Sequence, residues 1–365
     1  MKKRIVFTGG GTLGHVMPNI YLIKDLIEEY DCFYIGSNKI EDERIKDLNN
    51  ELKVKNSDNK NDDIVAYYSI PTVKFNRDKI LENIKIPFML IKSIHRAKKV
   101  LKEIKPDVIF SKGGYVALPV CLAGRMLKIP IVAHESDSSF GLSNKIILKL
   151  CKTMCVNFKN LEGKNKKICY TGPIFSAEFQ SNRKNKSKLN LKENLPTLLI
   201  VGGSLGSKKI NDMLMPIIKD LIKEFNVIHL TGKGNLTLNS FDNYNAIEST
   251  NDMVNLYNIA DFILGRSGAG VTAECFYKKL PMLLIPLENK ASRGDQLLNA
   301  KYYENLGVAK IIREADITPT YLLNQLQQFY KNINNYKNIY LKLTPQNGKE
   351  KIIEIIKSLL DKTHN

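Results

Sequence analysis

A short apolar run that ends in glycines and then opens a helix recurs along this chain, and it constrains the fold more than any other feature. Residues 4–8 are a β-branched run, followed by Gly9-Gly10-Gly11-Thr12-Leu13-Gly14-His15. Ile20, Ile23, Leu26 and Ile27 then recur at helical spacing, and Pro18 suits a first helical turn. A second apolar run, residues 32–35, closes on Gly36. Strand, helix and strand in this order make a βαβ unit, which implies a parallel sheet. The pattern continues with a strand at 108–110 closed by Gly113-Gly114, a helical stretch to Met126, and a strand at 131–133 that runs into His134-Glu135. It restarts at 198–201, followed by Gly202-Gly203-Ser204-Leu205-Gly206-Ser207 and a helix from about Lys209. Further strands are read at 227–230, 262–264, 282–285 and 309–312.

A chain of 365 residues exceeds what one hydrophobic core usually serves, so the restart is read as a second domain. The crossing is placed near Gly172-Pro173. This gives domains 1–172 and 173–339, with a Lys-rich terminal helix at about 340–365 that can pack back on the first. The predicted class is α/β, two Rossmann-like parallel-sheet domains facing a cleft, with ligands at the carboxyl ends of the strands. Residues 46–63 are rich in Asn, Lys and Asp and read as a loop or frayed helix. Residues 181–194, SNRKNKSKLNLKEN, have no apolar face and read as an exposed basic loop.

Lys plus Arg is 55 against 37 for Asp plus Glu, a net charge of +18, which favours an anionic partner. A nucleic-acid binder would interleave aromatic residues on a basic face, and none does so here. The basic start, residues 1–4, meets glycines before an apolar signal region develops, and no run reaches the ~18 apolar residues of a membrane span. A cytoplasmic protein is expected. The six cysteines include no C-x-x-C pair and no attendant His cluster, so they are read as reduced packing residues and no metal site is expected.

Glycine turns at helix starts let a backbone approach phosphate and offer free N–H groups with partial positive charge. Gly9, Gly11 and Gly14 have dinucleotide spacing, but no acidic residue closes the second strand, as a nicotinamide enzyme would require. The same turn lacks the Lys of a P-loop. His15 stands at a helix start, where positive charge is disfavoured, so a neutral imidazole can act as base or hydrogen-bond a hydroxyl. Ser204 adds a hydroxyl donor to the second turn. Arg266-Ser267-Gly268-Ala269-Gly270-Val271-Thr272-Ala273-Glu274 forms a third phosphate-type turn, with Glu274 placed to accept two ribose hydroxyls. Asp295 and Gln296 open a helix after a neighbouring strand and suit sugar hydroxyls.

With these residues in place, the chain closely resembles the UDP-N-acetylglucosamine transferases of peptidoglycan synthesis, the MurG family. GGGTLGHVMP, KGGYVALP, HESDSSFGLSNK, GGSLGSKKIN, RSGAGVTAE and SRGDQLLNA stand in the family's order over nearly the whole chain. The resemblance implies a GT-B fold and inverting transfer of N-acetylglucosamine from UDP to the 4-hydroxyl of muramic acid on a polyprenyl diphosphate, with no metal or cofactor. It implies that Thr12, Leu13 and Gly14 line the substrate cleft and that Ser204 contacts the diphosphate. Thr250 would lie near the uracil, Ala269 to Glu274 would hold phosphate and ribose, and Gln296 the sugar. His15 is the implied base. The sequence departs from the family at His134-Glu135-Ser136-Asp137, where many members have His-Glu-Gln-Asn. Asp137 loses an amide donor there and becomes a second base candidate. Gly172-Pro173-Ile174-Phe175 lacks the family's arginine, and Leu13 narrows the first loop. Arg266 is expected to help stabilise the departing UDP charge.

Residues 84–105, IKIPFMLIKSIHRAKKVLKEIK, combine apolar and basic positions as an interfacial helix on anionic lipid would, and equally as a Rossmann helix with one solvated face. With the resemblance, they point to a peripheral protein on the cytoplasmic face of the cell membrane. Its expected partners are UDP-N-acetylglucosamine, a lipid-linked muramyl-peptide and anionic lipid, with no nucleic acid. Two enzymes of the same architecture remain open on the motifs: a diacylglycerol glycosyltransferase, and a UDP-N-acetylglucosamine 2-epimerase, which would need no acceptor.

Overall fold

The computed structural model describes residues 2–37, 39–55, 63–73, 84–203, 206–236, 239–288 and 294–362. The chain divides into two compact units, Met1–Ser176 with Asn347–Asn365, and Ala177–Gln346.

The first unit holds seven parallel strands: β1 (Arg4–Thr8), β2 (Asp31–Gly36), β3 (Ala66–Ser69), β4 (Val108–Ser111), β5 (Ile131–Glu135), β6 (Thr153–Val156) and β7 (Ile168–Tyr170). Their order is β3-β2-β1-β4-β5-β6-β7, with Ile5 level with Cys32 on one side and Val108 on the other. The helices are α1 (Leu13–Leu26), α2 (Ile40–Lys55), α3 (Ile86–Ile104), α4 (Gly114–Met126) and α5 (Leu142–Leu150). Ile5, Val6 and Phe7 are all fully buried because helices cover both faces of the sheet, which is why the strand is apolar throughout and does not alternate.

The second unit repeats the design with β8 (Thr197–Val201), β9 (Asn226–Leu230), β10 (Tyr244–Ile247), β11 (Phe262–Gly265), β12 (Met282–Leu284) and β13 (Ala309–Ile311), ordered β10-β9-β8-β11-β12-β13. Its helices are α6 (Lys208–Leu214), α7 (Ile218–Glu224), α8 (Met253–Ile259), α9 (Ala269–Tyr277), α10 (Asp295–Asn305), α11 (Pro319–Lys331) and α12 (Ile333–Tyr340). A last helix, α13 (Lys349–Lys362), belongs to the first unit. Ile352, Ile356 and Leu360, spaced by four, join the core beneath α1, and Lys349 and Lys357 pair with Asp25 and Glu29 at 2.5 and 2.9 Å.

Three local expectations change. Pro18 lies six residues into α1, because the helix starts directly after the glycines; it supplies no N–H to the Gly14 carbonyl. Pro119 stands at the same depth in α4 and leaves the Tyr115 carbonyl likewise. The polar stretch from 46 is helical as far as Lys55, since Leu48 and Leu52 reach the core; residues 56–62 lie outside the described ones. The basic segment at 181–194 is exposed, yet its backbone is pinned by asparagine side chains. Asn255 bonds both ways with Asn185, Asn245 does the same with Asn190, and Asn226 with Lys192.

Candidate active site

In the first unit the loops after β1, β4 and β5 meet where strand order reverses, the position at which open parallel sheets bind ligands. Gly11 has φ +84°, and a Cβ there would come within 2.7 Å of the Tyr115 ring. Gly114 has φ +82°, and its absent side chain lets the His15 ring lie against the β4 loop; a Cβ would stand 3.4 Å from His15 Nδ1. His15 is half-buried in the first turn of α1, with Nδ1 3.2 Å from Thr12 Oγ1. With the ring proton on Nδ1, that bond runs from His15 to the Thr12 hydroxyl and the lone pair lies on Nε2. Thr12 and Gly14 are exposed and Leu13 half-buried at the same helix start.

The β5 loop carries a buried cluster of charge. Lys112, directly after β4, is 1% exposed and its Nζ bonds to Ser136 Oγ. Burial pulls its pKa down to about 8, against the opposing pull of Glu135 and Asp137. Burial, and then the Asp137 charge, raise the pKa of Glu135. Its carboxylate accepts from Asp137 N at 3.0 Å, Gly141 N at 3.2 Å and Asn144 Nδ2 at 2.9 Å. His134 is buried and its pKa is pushed well down by burial, with the Lys112 charge acting in the same direction. Asp137 is half-buried on the same turn.

In the second unit, Ser204 and the pair Ser292-Arg293 lie outside the described residues. Around them, Gly203 and Gly206 have φ +99° and +75°, and a Cβ on Gly206 would fall 2.1 Å from the Thr231 carbonyl oxygen. The turn after β11 feeds α9, whose first N–H groups have no helical acceptor. Gly270 is exposed and Val271 and Glu274 half-buried on that helix. Glu274 Oε2 accepts from the buried Tyr257 hydroxyl at 2.7 Å, and burial raises the pKa of the carboxyl. Thr250 follows β10 and accepts from Asp252 N at 3.0 Å. Asp295 and Gln296 open α10, and Gln296 Oε1 accepts from Leu287 N at 3.0 Å, which leaves the amide NH2 as its donor end.

Four of the expected contact residues have buried side chains. Ala269, Thr272 and Ala273 are buried on the core side of α9, and the Thr272 hydroxyl donates back to the Gly268 carbonyl at 3.0 Å. They can offer a ligand backbone only. Arg266 is buried, and every guanidinium N–H meets a protein acceptor: Ser207 Oγ from both Nε and Nη2, the Ile285 and Pro286 carbonyls, and Glu314 Oε1 at 2.6 Å. Arg266 therefore ties together the loops after β8, β12 and β13, and its charge is matched by Glu314. Sequence reasoning passed over Lys112, Tyr257 and Glu314. Lys112 had a signal, a lysine ahead of a glycine pair at a strand end; Tyr257 and Glu314 lie 17 and 48 residues from their partners and had none.

Residues 5–156 match the glycosyltransferase family 28 N-terminal domain and residues 197–356 its C-terminal domain. A UDP-N-acetylglucosamine--N-acetylmuramyl-(pentapeptide) pyrophosphoryl-undecaprenol N-acetylglucosamine transferase of Clostridium perfringens is 40% identical, covering 98% of this chain and 99% of its own. One from Clostridium botulinum is 38% identical over 97% and 99%. The crystal structure of Acinetobacter baumannii MurG superposes with a TM-score of 0.75 at 25% identity, over 98% and 100% of the two chains. The glycosyltransferase of kitacinnamycin, at 13% identity and a TM-score of 0.71 over 99% and 100%, shares the fold. The two parallel sheets are thus the GT-B arrangement of glycosyltransferases, and by full-length identity and both domain matches the chain belongs to the MurG family.

Proposed function

We propose that this protein transfers N-acetylglucosamine from UDP-N-acetylglucosamine to the 4-hydroxyl of muramic acid in N-acetylmuramyl-(pentapeptide) pyrophosphoryl-undecaprenol, a step of peptidoglycan synthesis. The observation that carries this reading is the near-complete coverage of transferases so named at 38–40% identity. The reaction is one displacement. The 4-hydroxyl oxygen bonds to the anomeric carbon, the bond from that carbon to the UDP oxygen breaks, and configuration inverts. The hydroxyl proton passes to His15 Nε2, with Asp137 as the other basic group of this half. The departing diphosphate meets the N–H groups at the start of α9 and the Gly202-Gly203 turn. Glu274, steadied by Tyr257, takes the ribose hydroxyls. The amide NH2 of Gln296, beside Asp295, takes the sugar, and Thr250 lies toward the uracil.

The lipid acceptor places the protein at a membrane surface, on its cytoplasmic face. Among the described residues no helix is long and apolar enough to cross a membrane. The N-terminal half of α3 leaves Phe88 75% and Ile91 67% exposed, while Ala97, Val100, Leu101 and Ile104 are buried. Ser93 is the one buried residue of α3 ahead of Ala97, so a buried face explains mainly the second half of the helix. Leu142, 68% exposed at the start of α5, adds to the apolar surface of the same unit, and Lys92, Arg96, Lys99 and Lys102 stand exposed on α3. Such a surface suits anionic lipid.

Incubation with radiolabelled UDP-N-acetylglucosamine and purified lipid-linked muramyl-peptide tests the function. Label is expected in the lipid product; turnover of the donor without acceptor, and no lipid label, would refute it. Vesicle binding is expected to rise with anionic lipid and fall with salt, and to be lost on replacing Phe88 and Ile91 by Ser. Binding indifferent to those residues would remove α3 from the membrane face.

A further inference from the structure

We propose that Lys112 is a positioning residue for the acceptor: its buried ammonium group, tied to Ser136 and flanked by Glu135 and Asp137, locks the turn after β5. The acceptor role rests on the function proposed above; the charge coupling does not.

The root of Lys112 is fixed. Its N–H continues the β1–β4 ladder onto the Thr8 carbonyl at 2.9 Å, and a Cβ on Gly9 would press within 3.0 Å of Lys112 Cβ. From there the side chain runs inward to the β5 loop. Among the described residues it is the one lysine that is fully buried. A buried cation persists only where anions and hydrogen bonds match it. Glu135 uses both carboxylate oxygens to shape the loop from Asp137 to Gly141 and to hold Asn144 of α5. Protonation would turn one of those acceptors into a donor. Burial and the Asp137 charge both favour that protonation, and the Lys112 charge opposes it. His134 is held neutral by its burial and by Lys112, with His15 acting in the same direction, so the groups facing Lys112 are two anions and a neutral ring. The cation is what allows two carboxylates to share this turn.

The sign of the pH dependence follows. As pH rises through about 8, Lys112 gives up its proton and the turn loses its cation. As pH falls, Glu135 protonates from a raised pKa, and without Lys112 it does so at a still higher pH.

The test uses the full chain with Lys112→Met, which keeps length and removes charge, and Ser136→Ala, which keeps charge and removes the tether. With carbonyl-labelled Glu, an NMR titration without substrate is expected to show Glu135 protonating at a higher pH in Lys112→Met than in the wild type. An unchanged Glu135 would overturn the proposal whatever the acceptor. In steady state, Lys112→Met is expected to lower kcat/KM for the lipid acceptor on the order of a hundredfold. KM for UDP-N-acetylglucosamine should stay within about twofold. The wild-type alkaline limb near pH 8 should vanish in that variant. Ser136→Ala should show a loss of about tenfold. Equal losses toward both substrates, or a retained alkaline limb, would reduce Lys112 to a packing residue. If Lys112→Met does not fold, the Ser136→Ala split and the wild-type alkaline limb decide. A wild type that ignores the lipid acceptor while Glu135 shifts as expected would sink the acceptor assignment and keep the coupling.

Discussion

In the first unit β1 is flanked by β2 and β4, and in the second β8 is flanked by β9 and β11, so the two sheets open at equivalent switch points. What fills those openings differs in kind. The first holds buried groups whose environment moves their titration toward neutrality, a lysine drawn down to about 8 and a glutamate drawn up. The second holds a buried arginine with every donor matched and an ion pair to Glu314. Its Ser267, Thr272 and Asn299 hydroxyls and amide are spent on helix and loop carbonyls. One side carries a lysine and a glutamate whose titration is drawn toward neutral pH, and the other an arginine whose charge is matched by an ion pair. In the function proposed above, His15 at the first opening takes the acceptor proton and the turns of the second cradle the departing diphosphate. The same topology supports either, because the chemistry lies in the loops.

The sharpest way to break this contrast is Arg266→Ala. It leaves Glu314 largely buried without its cation and the loops after β8, β12 and β13 without their tie, a loss of about 3–5 kcal/mol. Denaturant unfolding should show that loss, and donor binding should fall with it. Full stability with weakened UDP binding alone would mean that Arg266 contacts the diphosphate directly. Next comes His15→Ala, expected to cut turnover by about 10²- to 10⁴-fold while calorimetric UDP binding stays unchanged. Near-normal turnover would take His15 out of the chemistry.

Both predictions bear on what the sequence made legible. The strand, glycine turn and helix unit is local: it needs only apolar runs and residues that accept positive φ, so both sheets and the main turns could be read. β3, β6 and β10 are no shorter than β4 or β11, but they and β7 escaped because polar, aromatic or sulfur-bearing residues, as in AYYS, TMCV and YNAI, replace the aliphatic run that marks VIF and FIL. Without that run, periodicity has too few residues there to register. The helix start that leaves Gly270 exposed and Val271 half-buried was legible, because a glycine turn after a strand is a local signal. Arg266 beside a glycine turn looks the same in sequence whether its guanidinium faces a phosphate or Glu314, since the partner arrives from 48 residues away. Asparagines 226, 245 and 255 likewise gave no sign that they pin the basic segment, because the pairing is tertiary.

The smallest of these effects concerns a carboxyl group of the second unit. Glu274 stands in α9 with its carboxyl pKa raised by burial, and the hydrogen bond from Tyr257 works against that rise. Removing the hydroxyl in Tyr257→Phe keeps the ring among its neighbours, including Phe179 at 6.4 Å, so packing is preserved. The bond itself is worth about 1 kcal/mol, somewhat more because its acceptor is charged, so KM for the donor should rise severalfold, on the order of tenfold at most. The direction with pH separates positioning from packing. Without the hydroxyl the Glu274 pKa moves further up, so donor affinity should begin to fail at a higher pH on acidification than in the wild type. A packing defect would lower affinity equally at all pH values. Acceptor KM should not respond, since Lys112 and the β5 turn belong to the other unit; a matched rise in both would mean that the two edges are not the separable halves their buried charges describe.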